Sequence, residues 1–377
     1  MSHVLASDRD PIRAGTAARA PARVVLNGRF LAQVATGVQR YARETVQALD
    51  RLLDASAALR AQLAIELAVP RHAATLELRR IRVCVVPWLA GHPWEQIALA
   101  WHARGGYLVN FGYSGPLAKR RQLITLHDAS VRAVAPAYAW RYRLLHDTLV
   151  EVLRRRVDVM TVSQFARAEL AQRYGIGDAL LGTEGWQHGL AHGDGGATLR
   201  KFGLRAQGYL LAVGSGKRHK NYALLEHALA LLDDFPLTVA VAGACDIGIF
   251  RDRGGVSSHV RRLGYVSEAE LGHLYRHAAW FVFPSIYEGF GLPALEAMAN
   301  GCPVLAASAG ALPEVCGEAA LYFEPHDPAA LAALLQRVTR EPALRRELAA
   351  RGRARLAHYS WDANARILAG HLLAAAN

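Results

Sequence analysis

The sequence predicts an α/β protein of two domains, each a parallel sheet doubly wound with helices. Three observations carry this. Short apolar runs alternate with helical stretches along the chain, as successive βαβ units require. Several runs are apolar at every position, Trp280-Phe-Val-Phe283 most clearly, as a strand buried on both faces must be. A length of 377 residues exceeds one ordinary core and gives each of two domains enough chain for its own. A hydrophobic content of 52% with 20% charged residues describes a globular chain rather than a disordered one. No apolar run approaches the roughly 20 residues needed to span a bilayer.

Taken in order, residues 1–22 are rich in Ala and Arg, carry Asp8, Asp10, Pro11 and Pro21, and lack the apolar centre of a secretory signal; they read as a mobile tail. The first domain is expected over 23–192. Its strands lie near Val24–Leu26, Leu63–Val69, Arg82–Val86, Leu108–Asn110, Gln122–Thr125 and Val157–Val162, with helices including Thr36–Leu53 and Trp140–Arg155. Gly193-Asp-Gly-Gly-Ala-Thr198 is the linker candidate. The second domain, 200–360, has strands near Tyr209–Val213, Leu237–Ala242, Trp280–Phe283, Val304–Ala306 and Leu321–Phe323. Its helices include Asn221–Leu232, Glu268–His277 and Ala329–Val338. Ser360 is a natural N-cap for a last helix, about 361–377.

The most informative stretch runs from Ser285 to Met298. After the buried strand, Gly289 and Gly291 permit a tight turn, and Pro293 stands where a helix accepts it best. Gly301 stops the helix before Pro303 and the next strand. Unsatisfied N–H groups near Gly291 and Leu292 coincide with the positive end of the helix dipole and suit a diphosphate. Glu288 lies in the loop and Glu296 about one turn into the helix. Both carboxylates can face one cleft and accept from hydroxyls, one near a sugar ring and one near a ribose. Either glutamate alone reads equally as a dipole complement, and Gly-Phe-Gly as an ordinary turn.

The whole string, Glu-Gly-Phe-Gly-Leu-Pro-Ala-Leu-Glu-Ala-Met-Ala-Asn-Gly-Cys-Pro-Val, resembles the signature of the family 4 glycosyltransferases, retaining enzymes of the GT-B fold. Other segments resemble the family in the same order along the chain. They are Asn27-Gly-Arg-Phe-Leu, Thr36-Gly-Val-Gln-Arg-Tyr-Ala42, Pro93-Trp-Glu-Gln96, Thr125-Leu-His-Asp128, Thr161-Val-Ser-Gln-Phe165 and Lys220-Asn221 after Leu210-Leu-Ala-Val-Gly214. The resemblance implies two Rossmann-like domains facing each other across a cleft, the first binding the acceptor and the second a nucleotide-diphosphate sugar. It implies that the last helix packs back on the first domain, helped by Trp361.

It also implies the roles of the site residues. Glu288 and, from the first domain, His127 attend the transferred hexose, and Glu296 holds the ribose. Lys220, with Lys217 or Arg218 and the backbone of Gly289, Phe290, Gly291 and Leu292, grips the diphosphate, which Gly37 approaches from across the cleft. No metal and no cofactor are expected. The expected reaction is retaining transfer of a hexosyl or deoxyhexosyl unit, mannose- or rhamnose-type favoured. The acceptor is a glycan or polyprenyl-diphosphate-linked oligosaccharide in O-antigen, capsule or exopolysaccharide synthesis. The alternative is a non-catalytic nucleotide-sugar or glycan-binding subunit of the same fold.

Three departures stand out. His219 and Ser215 occupy places where members often have arginine, and Thr183-Glu-Gly-Trp-Gln-His188 replaces the usual Pro-Asn-Gly-Val-Asp. Gly214-Ser-Gly-Lys217 is not a Walker loop, since Leu211 and Arg218 stand where its Gly and Ser or Thr belong. Asp8-Arg-Asp10 has a metal-binding form but no strand before it, and Gly193–Gly196 lacks a dinucleotide fingerprint's context.

Cys84, Cys245, Cys302 and Cys316 show no metal-like spacing and read as reduced core residues of a cytoplasmic protein. A net charge of +12 points to an anionic partner. No nucleic-acid module accompanies it. Lys119-Arg-Arg121, Arg141, Arg143 and Arg154-Arg-Arg156 fall in the first half. Tyr138-Ala-Trp-Arg-Tyr-Arg-Leu-Leu145 reads either as an interfacial helix on an anionic membrane, the inner face of the cytoplasmic membrane, or as a helix packing its aromatic side on its domain.

Overall fold

The computed structural model describes residues 20–214, 216–243 and 260–375. Residues 1–19, with Asp8 and Asp10 of the expected tail, lie outside the described residues, as do Ser215 and Cys245.

Two sheets organise the chain. The first has β1 (Ala22–Asn27), β2 (Leu63–Pro70), β3 (Arg82–Val86), β4 (Tyr107–Asn110), β5 (Gln122–Thr125), β6 (Asp158–Thr161) and β7 (Leu180–Leu181), in the order β3-β2-β1-β4-β5-β6-β7. The second has β8 (Tyr209–Val213), β9 (Thr238–Ala242), β10 (Val260–Gly264), β11 (Trp280–Phe283), β12 (Val304–Ala307) and β13 (Ala320–Phe323), in the order β10-β9-β8-β11-β12-β13. Pairing is parallel. Each order begins 3-2-1-4-5-6, the Rossmann winding, so each sheet has a switch point beside its opening strand where the connections leave in opposite directions. The expected doubly wound α/β class is the class observed. The continuous apolar runs are its buried middle: all of β11 and β12 is buried, because helices cover both faces.

Packing divides the chain into two compact units. The first takes residues up to Thr125, Arg155–Asp158 and the chain from Asp362; the second takes Leu126–Arg154 and Val159–Trp361. Most of β6 and all of β7 thus group with the second unit. Hydrogen bonds within that unit explain it: Ser163 Oγ donates to Gly289 O (2.5 Å), the N–H groups of Gln164 and Phe165 donate to the Glu314 carboxylate (2.9 Å each), and Ala129 N–H donates to Tyr287 OH (3.1 Å).

In the first unit Trp94 is fully buried among Val25, Ala68, Val86 and Leu108, its indole N–H on Val86 O at 3.0 Å. Beside it the buried Glu95 takes hydrogen bonds from Asn27 (3.0 Å) and Arg29 (3.2 Å), so Pro93-Trp-Glu-Gln96 anchors the sheet. From the last helix, Trp361–Ala375, Asn364 donates to Thr45 Oγ1 at 3.0 Å. Cys302 and Cys316 are core residues as expected. Cys84 is not: it is half-exposed on β3, and its thiol donates to Glu66 at 3.3 Å.

Candidate active site

The second sheet's switch point lies between β8 and β11, and the loops leaving those strands carry the two most polar residues of the site. In open α/β sheets a ligand binds at the carboxyl ends of the strands there. After β8 the chain turns through Gly214 (φ +156°) into the short 3-10 turn Arg218–Lys220. After β11 it runs through Ser285 to Glu288. Ile286 N–H donates to His219 O at 2.9 Å and ties the loops together. Lys220 Nζ then meets Glu288 Oε1 at 2.6 Å, both side chains mostly buried. A third loop, after β12, holds Glu288 from behind. Ala311 N–H donates to Glu288 O at 3.0 Å, and Gly310 (φ +62°) leaves no room for a side chain, since a Cβ would lie 2.7 Å from Glu288 N.

The Gly-Phe-Gly turn has a reason at each position. A Cβ on Gly289 would lie 2.2 Å from His127 O, so glycine lets the His127-Asp128 segment close on the turn. Phe290 is buried edge-on against Tyr359, its ring centroid 5.5 Å away. Gly291 takes φ +113°, which only glycine adopts readily, and starts the helix Leu292–Ala299 with Pro293 in its first turn. The side chains of Phe290 and Leu292 belong to the core. Their contribution toward a ligand is backbone.

Glu296 is buried, and both its oxygens are held. His188 Nε2 lies 2.9 Å from Oε1, and Tyr275 OH donates to Oε2 at 3.2 Å. Trp361 Nε1–H donates to the other imidazole nitrogen of His188 at 3.2 Å. An indole N–H only donates, so His188 Nδ1 accepts, and the ring proton sits on Nε2 facing the carboxylate.

His127 is buried with Nδ1 3.7 Å from the Glu184 carboxylate, an ion-pair distance rather than a hydrogen bond. Burial pushes the Glu184 carboxyl above its ordinary value, while His127 and His188 oppose that rise. Asp128 accepts from Ser130 N–H at 2.8 Å. Lys217 and Arg218 are exposed, and Lys217 Nζ stands 5.5 Å over the Tyr138 ring. His219 is buried, its pKa lowered chiefly by burial and next by Lys220. Its Nδ1 and the hydroxyl of Ser285 are buried without a hydrogen-bond partner among the described residues.

The expected residues therefore fall as follows. Lys220, Glu288, Gly289, Phe290, Gly291, Leu292, Glu296 and His127 lie in the second unit, with Lys217 and Arg218 on the turn beside Lys220. Gly37 lies in the first unit as the opening residue of the helix Gly37–Ala55, and among the described residues a Cβ there would meet nothing within 4 Å. Glu184, His188 and Tyr275 were not read from the sequence as site residues, and Trp361 was expected only to help the last helix pack, not to donate to His188. The available signal was the segment that departs from the family pattern, Thr183–His188, which supplies two of them.

Among the described residues, one trio of metal-ligand types converges elsewhere: Glu66, Cys84 and His102 in the first unit. Both Glu66 oxygens already accept from guanidinium groups, Arg23 at 2.6 Å and Arg82 at 2.7 Å, so the carboxylate is neutralised by protein.

Two Rossmann-wound sheets, the second with Lys220 meeting Glu288 beside a glycine turn at its switch point, are the architecture of the GT-B class of glycosyltransferases. The family model described as "Glycosyl transferases group 1" matches residues 200–355. The chain is 32% identical over 305 residues to the O-antigen chain mannosyltransferase B of Escherichia coli, covering 76% of this chain and 78% of that one. Two solved structures share the fold. Sucrose-phosphate synthase from Thermosynechococcus elongatus matches with a TM-score of 0.69 at 21% identity, over 93% of this chain and 98% of that one. Anabaena HepE in complex with UDP matches with a TM-score of 0.67 at 16% identity, over 94% and 100%. The chain belongs to the group 1 glycosyl transferase family. No helix among the described residues is long and apolar enough to cross a membrane.

Proposed function

We propose that this glycosyltransferase moves a hexosyl or deoxyhexosyl unit, mannose-type first, from a nucleotide-diphosphate sugar with retention and without a metal. The acceptor is a glycan or polyprenyl-diphosphate-linked oligosaccharide of a bacterial surface polysaccharide. The observation that carries the reading is the Lys220–Glu288 pair, 2.6 Å apart beside the Gly289–Leu292 turn. An ammonium there suits the β-phosphate and a carboxylate suits sugar hydroxyls. The mannose assignment leans on the Escherichia coli relative.

Breaking the anomeric bond puts negative charge on the diphosphate and positive charge on the sugar. Lys220, Lys217 or Arg218, and the N–H groups near Gly291 and Leu292 would stabilise the first. Glu288 would hold the hexose, with His127 beside it, and Glu296 the ribose. In the retaining route the acceptor attacks from the leaving-group face, and the departing phosphate takes its proton. Residues 200–360 would form the donor domain and 23–192, with the last helix, the acceptor domain. Gly37 would leave room for the diphosphate. The surface helix Trp140–Leu153 would bring the enzyme to an anionic membrane that carries lipid-linked acceptor.

A thermal-shift panel of GDP-, UDP- and dTDP-sugars tests the donor. A ligand that binds only the folded state raises the melting temperature, and one nucleotide class should do so. Purified protein should also hydrolyse that donor slowly. Binding without hydrolysis or transfer would select the non-catalytic alternative.

A further inference from the structure

The Glu296 carboxylate is held by side chains from three separate segments, His188, Tyr275 and, through His188, Trp361. His188 sits in the segment that departs from the family pattern. Its side chain is almost wholly buried, and Gly189 lets it approach: a Cβ on Gly189 would lie 2.9 Å from Glu296 Cγ. The indole of Trp361 fixes the tautomer. With Nδ1 forced to accept, Nε2–H points at Oε1, while Tyr275 fixes Oε2. A carboxylate held at both oxygens has a set plane, and two oxygens in a set plane match two adjacent hydroxyls better than one.

We propose that His188 is a positioning residue for donor recognition, orienting Glu296 so that the site selects a ribonucleotide diphosphate over its 2′-deoxy counterpart. The inference rests on the reading of Glu296 as the ribose ligand and adds to it the residue that sets selectivity. His188 touches no substrate in this scheme. It acts through the carboxylate.

The test is calorimetric titration of the full chain with GDP, UDP and their 2′-deoxy counterparts. Wild type should prefer one ribonucleotide over its deoxy form by about tenfold or more, the range of a hydrogen bond to a charged group. His188→Phe, which fills the space without a donor, should bring the two within about threefold of each other. His188→Gln, whose carboxamide can donate to Oε1, should keep most of the preference. Lys220→Ala should weaken both nucleotides alike and leave their ratio unchanged. A general structural defect also scales both affinities by one factor, so the collapse of the ratio in His188→Phe is what such a defect does not produce.

A folded His188→Phe protein with the wild-type ratio overturns the proposal. Should that variant not fold, Trp361→Phe asks the same question by releasing the tautomer, and an unchanged ratio there overturns it equally. Wild type that binds both forms without preference, through Lys220, overturns the ribose role and leaves the diphosphate site standing. Wild type that binds neither nucleotide overturns the donor reading itself.

Discussion

For single residues, the short Lys220–Glu288 contact makes each side chain the other's charge partner. Losing one stabilising group at developing charge costs about 10²–10³ in kcat. Lys220→Ala and Glu288→Ala should each lose at least that much turnover while melting within a few degrees of wild type. Turnover assays with calorimetry check it, and wild-type turnover by folded Glu288→Ala would remove that residue from the chemistry. Two other buried glutamates have opposite signs with pH. At Glu66 burial raises the pKa, but hydrogen bonds from Arg82, Arg23 and Cys84 outweigh it and bring it from 4.5 to about 2. That stability is present above the unfolded value and fades as pH falls from 4.5 toward 2. At Glu184 burial wins and the pKa rises, so its contribution is full below 4.5 and is lost as pH rises through the folded value. Glu66→Gln should thus close its deficit in acid, while Glu184→Gln should gain on wild type as pH rises. Melting curves across that range decide, and parallel curves would refute both assignments. The string from Glu288 to Glu296 was legible because its parts are local. The Glu184, His188, Tyr275 and Trp361 set was not, since only the fold brings residues so far apart in sequence together.

Among the elements, β3, β5, β8 and β11 have the bounds read from the sequence, and most others differ by a residue or two. Buried strands announce themselves by unbroken apolar runs. Two strands escaped. β10, Val-Arg-Arg-Leu-Gly, is an edge strand with both arginines exposed, and β7 has only two residues; neither needs an apolar run to pair along one side. The two glycine-bearing loops give the sharpest prediction at this scale. Gly289→Ala would press a methyl onto the His127 carbonyl, and overpacking of that kind costs about 1–3 kcal/mol. Gly37→Ala meets nothing among the described residues and opens a 19-residue helix, so it should leave stability unchanged or raise it by about 0.4–1 kcal/mol. If Gly37 makes room for the diphosphate, the same substitution should weaken donor binding. Denaturant melts and donor titration on both variants separate the roles: Gly289→Ala unstable, Gly37→Ala stable but poor in binding. Full donor affinity in Gly37→Ala would remove Gly37 from the site.

For the whole molecule, the sequence left open whether Tyr138–Leu145 packs its aromatic side inward. The structure turns much of that apolar surface outward: on the helix Trp140–Leu153, His146, Val150 and Leu153 are buried, while Trp140, Leu144 and Leu145 are 66%, 62% and 52% exposed. Arg141 lies on the same exposed side, 5.3 Å from the Trp140 ring, in a chain of net charge +12. An outward Trp and two leucines beside a cation suit the headgroup region of an anionic bilayer, where apolar insertion and charge attraction add. The attraction should fade with salt as the screening length falls from about 10 Å at 0.1 M to about 3 Å at 1 M. Wild type should therefore float with anionic vesicles at low salt, much less at high salt, and little with neutral vesicles. The triple variant Trp140→Ser, Arg141→Glu, Leu144→Ser should stay at the bottom of the gradient while hydrolysing soluble donor like wild type, since none of these residues belongs to the donor site. Equal flotation of the two proteins would place the membrane-binding surface elsewhere, and no flotation of wild type on anionic vesicles at low salt would end the membrane hypothesis while leaving the donor chemistry intact.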